Sequence, residues 1–205
     1  MNQVHEYMRY KQLPCNIQNR LLTYYEYKFK KKYFREDIIT ATLSVRLRRE
    51  INVYQFRRLI DSVSLFKGIP HQVVVDIVNC LKPEIFLPND VIVKASTIGD
   101  CMYFLSSGTV CVTTPTGREV CHLYDGAYFG EVALIMKDQK RIANVYALEI
   151  CEVYRLDRKH FKTCCMYNTQ FCKKLEKIAE ERREQTALLE DLQKQYLISL
   201  DNSKV

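Results

Sequence analysis

Glycines at a regular spacing constrain the fold of this chain more than any other feature of its sequence. Five of the six glycines lie in residues 84–130, and four of them are nine residues apart: Gly99, Gly108, Gly117 and Gly126. Short β-branched and aromatic runs fill the intervals, for example residues 102–105 and 110–113. Turn signals at this interval are typical of an antiparallel roll or sandwich. We therefore predict a jelly-roll-like antiparallel β-roll over about residues 84–156.

The chain has a helical pattern on both sides of this roll. In residues 2–64, apolar side chains recur three or four positions apart, and Pro70 and Pro83 are placed to start and end one further helix. Residues from about 157 to 200 again have a helical pattern and include a charge-dense run. The predicted fold class is α+β, with a helical region, a β-roll with flanking helices, and C-terminal helices.

Charge is distributed unevenly and predicts a domain boundary. The net charge of +7 lies entirely in residues 1–64, which hold 13 of the 31 Lys and Arg residues but 6 of the 24 Asp and Glu residues. We therefore predict one domain in residues 1–64 and a second in residues 65–200. The basic excess is interpreted as a solvated face or a set of ion-pair partners; acidic neighbouring subunits or lipid are the alternative.

Composition argues against several functional classes. The nine cysteines include no C-x-x-C pair, and with the four histidines they form no metal-ligand spacing. No nucleophile–base pair stands out, and no apolar run is long enough to span a bilayer. We predict a soluble chain from a reducing compartment that is not an enzyme and has no metal or cofactor, with cysteines that act as small apolar residues.

Residues 124–145 carry the candidate site. Gly130 lets the backbone approach a ligand closely, and Glu131-Val132-Ala133-Leu134 has the pattern of the first turn of a short helix. The first N–H groups of a helix have no internal partner and attract phosphate, and Arg141 adds a bidentate cation. Glu131 fits beside a phosphate if it accepts hydrogen bonds from a sugar hydroxyl. The alternative is a plain β-turn with a surface Glu and a surface Arg.

The same residues carry a resemblance to a known family. Phe129 to Leu134, followed by Arg141-Ile142-Ala143, resembles the phosphate-binding cassette of cyclic-nucleotide-binding domains. Further runs are similar to the C-linker and binding domain of hyperpolarization-activated cyclic-nucleotide-gated channels: Met1-Asn2-Gln3-Val4, Tyr7-Met8, Leu13-Pro14, Tyr24-Tyr25-Glu26, Thr97-Ile98-Gly99 and Met102-Tyr103-Phe104. This resemblance covers essentially the whole chain to about Arg183.

The resemblance implies a role for each site residue. Glu131 takes the ribose 2′-hydroxyl, Arg141 takes the cyclic phosphate, and the backbone amides after Gly130, at Val132 and Ala133, complete the cradle. An ungapped alignment from Phe161 places the arginine that reaches the purine at Arg182, with Arg183 as the alternative register. The last helix then acts as a lid on the ligand.

The resemblance also implies partners and location. Residues 1–64 are the C-linker, which forms most of a homotetramer interface, and the remaining partners are cyclic AMP and the channel's own pore domain at the cytoplasmic face of the plasma membrane. A nucleic-acid partner is not expected, because a nucleotide-gated transcription factor needs a helix-turn-helix after the last helix. Only the polar tail Asp201 to Val205 follows it here.

Three departures from the family bear on function. Ile142 stands where the family usually has Thr or Ser, the loop at 137–140 is one residue longer than in close relatives, and Thr186 replaces an apolar residue. Because Ile142 offers guanine no hydrogen bond, we expect cyclic AMP to bind more tightly than cyclic GMP. The alternative is a structural tetramerisation module of the same channel fold that no longer responds to nucleotide.

Overall fold

The computed structural model describes residues 2–30, 36–135, 140–166 and 169–202. It contains eight α-helices within those ranges: α1 (Asn2–Tyr10), α2 (Cys15–Phe29), α3 (Glu36–Thr42), α4 (Val45–Ser62), α5 (His71–Val78), α6 (Val132–Ile135), α7 (Arg158–Met166) and α8 (Thr169–Asn202). A short 3-10 helix, Ser64–Phe66, precedes α5. Contacts divide the chain into two units, residues 1–48 and 49–205, and the division falls inside α4.

The first unit consists of short helices whose apolar side chains are mostly accessible. Pro14 lies immediately before α2, and Ser44 accepts a hydrogen bond from the backbone N–H of Leu47 at 3.3 Å, as an N-cap does. Within the described part of this unit, Met8 is the only buried apolar side chain. Large apolar side chains remain exposed: Tyr7, Tyr10, Ile17, Phe29, Ile38, Ile39, Val45 and Leu47.

The second unit is built on two antiparallel sheets of four strands each. The strands are β1 (Lys82–Phe86), β2 (Val91–Val93), β3 (Cys101–Ser107), β4 (Val110–Thr113), β5 (Glu119–Leu123), β6 (Tyr128–Phe129), β7 (Asn144–Ala147) and β8 (Cys151–Asp157). One sheet has the order β1-β8-β3-β6 and the other has the order β2-β7-β4-β5. The α+β prediction, with a β-roll, flanking helices and a C-terminal helix, is confirmed.

Strand β3 separates the two apolar cores of this unit. Side chains of a strand alternate between its faces, and Tyr103 and Leu105 join a cluster that links the two sheets. Met102 and Phe104 point the other way and pack with apolar side chains of the helices. Both faces of β3 are therefore covered, which explains why this strand is a continuous apolar run rather than an alternating one.

The cassette segment, residues 129–134, runs from β6 into α6 and packs against α8. Strand β6 pairs with β3, the chain turns at Gly130 with a φ of +84°, and α6 follows directly and packs against α8. Helix α8 is anchored in the helical core by Phe171 and Leu175, and Ala179, four residues further on, is also buried. Within the described ranges, no helix combines the length and the apolar character that crossing a membrane needs.

Candidate functional site

One cavity brings together all eight site residues predicted from the sequence. Its lining includes Phe129, Gly130, Glu131, Val132, Ala133, Arg141, Ile142 and Arg182. The cavity has a volume of about 120 Å³ and lies between the second sheet, the cassette segment and α8. The predicted residues come from a strand, a turn, a helix and a loop of the roll and from the last helix, so only the folded chain assembles them.

The guanidinium of Arg141 is buried and is held by backbone carbonyls. Nη1 donates to the carbonyl oxygen of Gly130 at 2.7 Å, and Nη2 donates to that of Cys101 at 2.7 Å. Only 8% of Arg141 is exposed. Burial raises the pKa of the Cys101 thiol, whose sulfur lies 3.4 Å from Nη2. The guanidinium of Arg141 is therefore held in a fixed position at the wall of the cavity.

Two glycines leave the space that this guanidinium occupies. A Cβ on Gly130 would lie 2.7 Å from Nη1 of Arg141, and a Cβ on Gly99 would lie 2.6 Å from its Nε and closer still to the Cβ of Ala133. Gly130 also has a positive φ, which other residues rarely adopt. From the sequence we predicted a turn at Gly99. In the structure, its missing side chain leaves room for Arg141 and Ala133 at the site.

Glu131 is the most completely buried charged side chain of the site, with 1% exposed. Its Oε1 accepts a hydrogen bond from Nη1 of Arg182 at 2.9 Å. Its Oε2 is buried, and no hydrogen-bond partner for it lies among the described residues. A buried carboxylate oxygen without a donor is costly, so an unpartnered one needs an explanation.

Arg182 connects the last helix to the cassette. Its Nη1 donates to the carbonyl oxygen of Tyr128 and to Glu131, both at 2.9 Å, and its guanidinium lies 4.7 Å from the centre of the Tyr128 ring. Burial raises the pKa of the Tyr128 phenol, and the charge of Arg182 acts in the opposite direction. Arg183, in contrast, pairs with Glu180 one turn earlier on an exposed face. The structure thus directs Arg182, and not Arg183, into the cavity.

The residues that depart from the family pattern also line the cavity. Ile142 presents an apolar side chain there, and Thr186 is buried with 7% exposed. The hydroxyl of Thr186 donates to the carbonyl oxygen of Arg182 at 2.8 Å, so its hydrogen bond is made within its own helix. Residues 136–139, which hold most of the loop predicted to be longer, lie outside the described residues.

Sequence reasoning missed the wall formed by the second sheet. This wall and the neighbouring part of α8 add further lining residues: Val93, Val112, Val120, Cys121, Leu123, Val145 and Gln185. Alternation along β4 and β5 would have identified Val112, Cys121 and Leu123 as one face, but which face lines the cavity depends on how the strands pair.

The fold and the site together define a class. The chain combines a two-sheet roll with a glycine followed by a buried Glu, a buried Arg from the next loop, and a long helix that lines the same cavity. Residues 83–168 match the family model described as cyclic nucleotide-binding domain. This region of the chain belongs to that family, which is regulatory and not enzymatic.

Three relatives indicate the branch of this family to which the chain is similar. The chain is 37% identical over 159 residues to potassium/sodium hyperpolarization-activated cyclic nucleotide-gated channel 2 of Mus musculus, covering 78% of this chain and 18% of that protein. The corresponding channel 4 of Oryctolagus cuniculus is also 37% identical, with 13% of it covered. Channel 1 of Rattus norvegicus is 30% identical over 98% of this chain and 23% of its own length. The domain is of the type found in hyperpolarization-activated cyclic nucleotide-gated channels, and this chain spans less than a quarter of each of these three relatives.

Proposed function

We propose that this chain is the cytosolic regulatory region of a cyclic-nucleotide-gated cation channel and that it binds cyclic AMP in the cavity between the roll and α8. The observation that carries the proposal is the buried Oε2 of Glu131, which lacks a hydrogen-bond partner among the described residues and belongs to a cavity-lining side chain. A hydroxyl of the ligand supplies the missing donor.

The two oxygens of Glu131 have separate tasks in this proposal. Arg182 occupies Oε1, so a ribose 2′-hydroxyl donates to Oε2 without displacing the arginine. The ligand and the last helix then meet on one carboxylate. Because both contacts involve charged groups in a buried site, each is stronger than a neutral hydrogen bond.

Arg141 supplies the charge for the phosphate. Its guanidinium is desolvated, and its fork is fixed by two carbonyl oxygens beside the start of α6. A cyclic phosphate carries one negative charge, and a preorganised cation binds it without a further loss of side-chain freedom. The first amides of α6, at Val132 and Ala133, are the expected additional donors.

Helix α8 is the proposed moving part. Arg182, Gln185 and Thr186 close one side of a cavity of about 120 Å³, which is below the roughly 300–1,000 Å³ typical of ligand sites. A bound nucleotide therefore needs more room than this cavity has, and we assign the movement to α8, which would open for entry and close on the ligand. A ligand that binds the closed form more tightly shifts the population toward it, and residues 1–64 transmit that shift to the pore.

Assembly through residues 1–64 is part of the proposal. Short helices with exposed aromatic and aliphatic side chains and the whole net charge of +7 suit contacts with neighbouring copies in a homotetramer. Light scattering at high protein concentration should show self-association that ionic strength alters. If removal of residues 1–48, the first of the two units, leaves that association unchanged, the interface lies elsewhere.

A second candidate function is a structural module of the same channel fold that no longer responds to nucleotide. The observation that favours it is that both arginines of the site already bind groups of the chain, while Ile142 offers the ligand no hydrogen bond. Calorimetric titration with cyclic AMP separates the two. Saturable binding of one equivalent supports the regulatory module, and no binding at millimolar ligand supports the structural one.

A further inference from the structure

Three side chains with metal-binding atoms converge on the hairpin of β4 and β5, outside the nucleotide cavity. Cys111 and His122 are directly opposite each other across the two strands, and the strand register shifts between Val112 and Thr113. That shift pairs Glu119 with Thr113 and keeps Glu119 on the face of Cys111 and His122. A sulfur, an imidazole nitrogen and a carboxylate oxygen of these three residues all lie within 4.8 Å of one another.

This face is opposite to the one that lines the nucleotide cavity. Val112, Cys121 and Leu123 alternate with the three residues along the strands and line the cavity. Cys111 is buried, with 8% exposed, whereas His122 and Glu119 are open to solvent. The cluster therefore has a fixed inner ligand, two adjustable outer ligands, and solvent access for a fourth.

We propose that Cys111, Glu119 and His122 form a binding site for a divalent transition-metal ion, with Zn²⁺ as the best-suited ion. Zinc accepts thiolate, imidazole and carboxylate ligands at about 2.0–2.3 Å, in a tetrahedron whose fourth position holds water in open sites. Ca²⁺ and Mg²⁺ prefer oxygen ligands, and Glu119 is the only one of the three residues that offers one. The thiolate of Cys111 and the imidazole of His122 therefore favour Zn²⁺ over these two ions.

The contacts already present favour this site. Nε2 of His122 lies 3.1 Å from Oε1 of Glu119, so one ion can contact both ligand atoms with little rearrangement. Metal binding exchanges the thiol proton of Cys111 for a Zn–S bond, so affinity should rise with pH.

The sequence alone does not reveal this cluster. Positions 111, 119 and 122 do not match a C-x-x-C or an H-x-x-x-H pattern, and the sequence therefore predicted no metal site. The pairing of β4 with β5 and the register shift bring the three residues together. The proposal is independent of nucleotide binding.

Cobalt titration of the full chain under anaerobic, reducing conditions tests the proposal, because a Co²⁺–thiolate bond gives a near-ultraviolet charge-transfer band that Zn²⁺ abolishes on displacement. We expect saturation at one equivalent of Co²⁺ in the wild type. Cys111→Ser should remove the band, and His122→Ala should weaken cobalt binding by about tenfold or more. His122→Ala changes an exposed side chain, so its fold should be retained.

Cys121→Ser is the matched control for cobalt binding, because Cys121 is an exposed thiol on the same hairpin that faces the other way. It should keep the band at wild-type intensity. The proposal is overturned if the wild type binds no cobalt at about 100-fold excess, if the band persists in Cys111→Ser, or if Cys121→Ser removes it.

Discussion

Arg182 of the last helix and Glu131 of the cassette form an ion pair, with 2.9 Å between Nη1 and Oε1. Glu131 is almost fully buried, so this contact lies inside the site rather than on the surface. Surface ion pairs contribute little to stability, but removing one partner of a buried pair leaves an uncompensated charge. The position of α8 is thus linked directly to the residue that we expect to hold the ribose.

Arg182→Ala should weaken cyclic AMP binding by about tenfold or more, because it removes the charge-assisted contact of about 1.5–3 kcal/mol that we expect Arg182 to make with the purine. Arg183→Ala is the matched control, since Arg183 pairs with Glu180 on an exposed face. The measurement is calorimetric titration of both variants. Equal losses in the two variants would mean that Arg182 has no special role.

Arg141→Glu should lower the affinity for cyclic AMP by at least about a hundredfold, because it removes the phosphate cation and introduces repulsion. The new carboxylate would also face the carbonyl oxygens of Gly130 and Cys101, so the fold must be checked by thermal unfolding without ligand. Arg141→Gln provides a second variant that keeps a hydrogen-bond donor. It should bind at least about tenfold more weakly than wild type, and unchanged affinity in a folded Arg141→Gln protein argues against the phosphate role.

Gly99→Ala should weaken cyclic AMP binding, because the added Cβ meets Arg141 and Ala133 and must displace one of them. Gly117→Ala is the control: its Cβ meets nothing within 4 Å, although its φ of +90° adds strain to the hairpin turn. We expect a loss of stability without a loss of affinity in Gly117→Ala. Titration together with thermal unfolding separates the two effects, and an unchanged affinity in Gly99→Ala would contradict the packing role.

Ile142→Thr should narrow the preference for cyclic AMP over cyclic GMP, chiefly by improving cyclic GMP binding. Ile142 lines the cavity, so guanine's amino group would lose a hydrogen bond to water there without replacement, at a cost of about 1–3 kcal/mol. Competition titration with both ligands measures the ratio of the two affinities in wild type and variant. Equal affinities in wild type, or a wider gap in the variant, would show that the purine is recognised elsewhere.

The glycine spacing predicted the roll because most of these glycines do occupy turns. Gly108, Gly117 and Gly126 have positive φ angles, as tight turns between strands require. Gly99 fits the same spacing, but a glycine is needed there because a larger residue would clash with the side chains of Arg141 and Ala133. Periodicity indicates where turns fall, but it does not distinguish a turn glycine from one that a distant side chain requires.

The parts of the site that sequence could not predict depend on contacts between distant segments. The carbonyl partners of Arg141 come from β3 and from the turn after β6, and neither choice is visible in the cassette motif. The sequence left open whether Arg182 or Arg183 faces the site. Adjacent residues of a helix project in different directions, and the sequence does not show which direction faces the cavity. Packing of α8 against α6 decides which one enters the cavity.

The central claim is that Glu131 and the ribose 2′-hydroxyl bind each other, and a double-mutant cycle tests it most directly. Cyclic AMP and its 2′-deoxy analogue are titrated calorimetrically into wild type and Glu131→Ala. In wild type, the deoxy analogue should bind about tenfold to a hundredfold more weakly, because it cannot supply the donor that Oε2 lacks among the described residues. In Glu131→Ala, the two ligands should bind with nearly equal affinity. If wild type binds both equally, or if the difference is the same in the variant, the account of this site is contradicted.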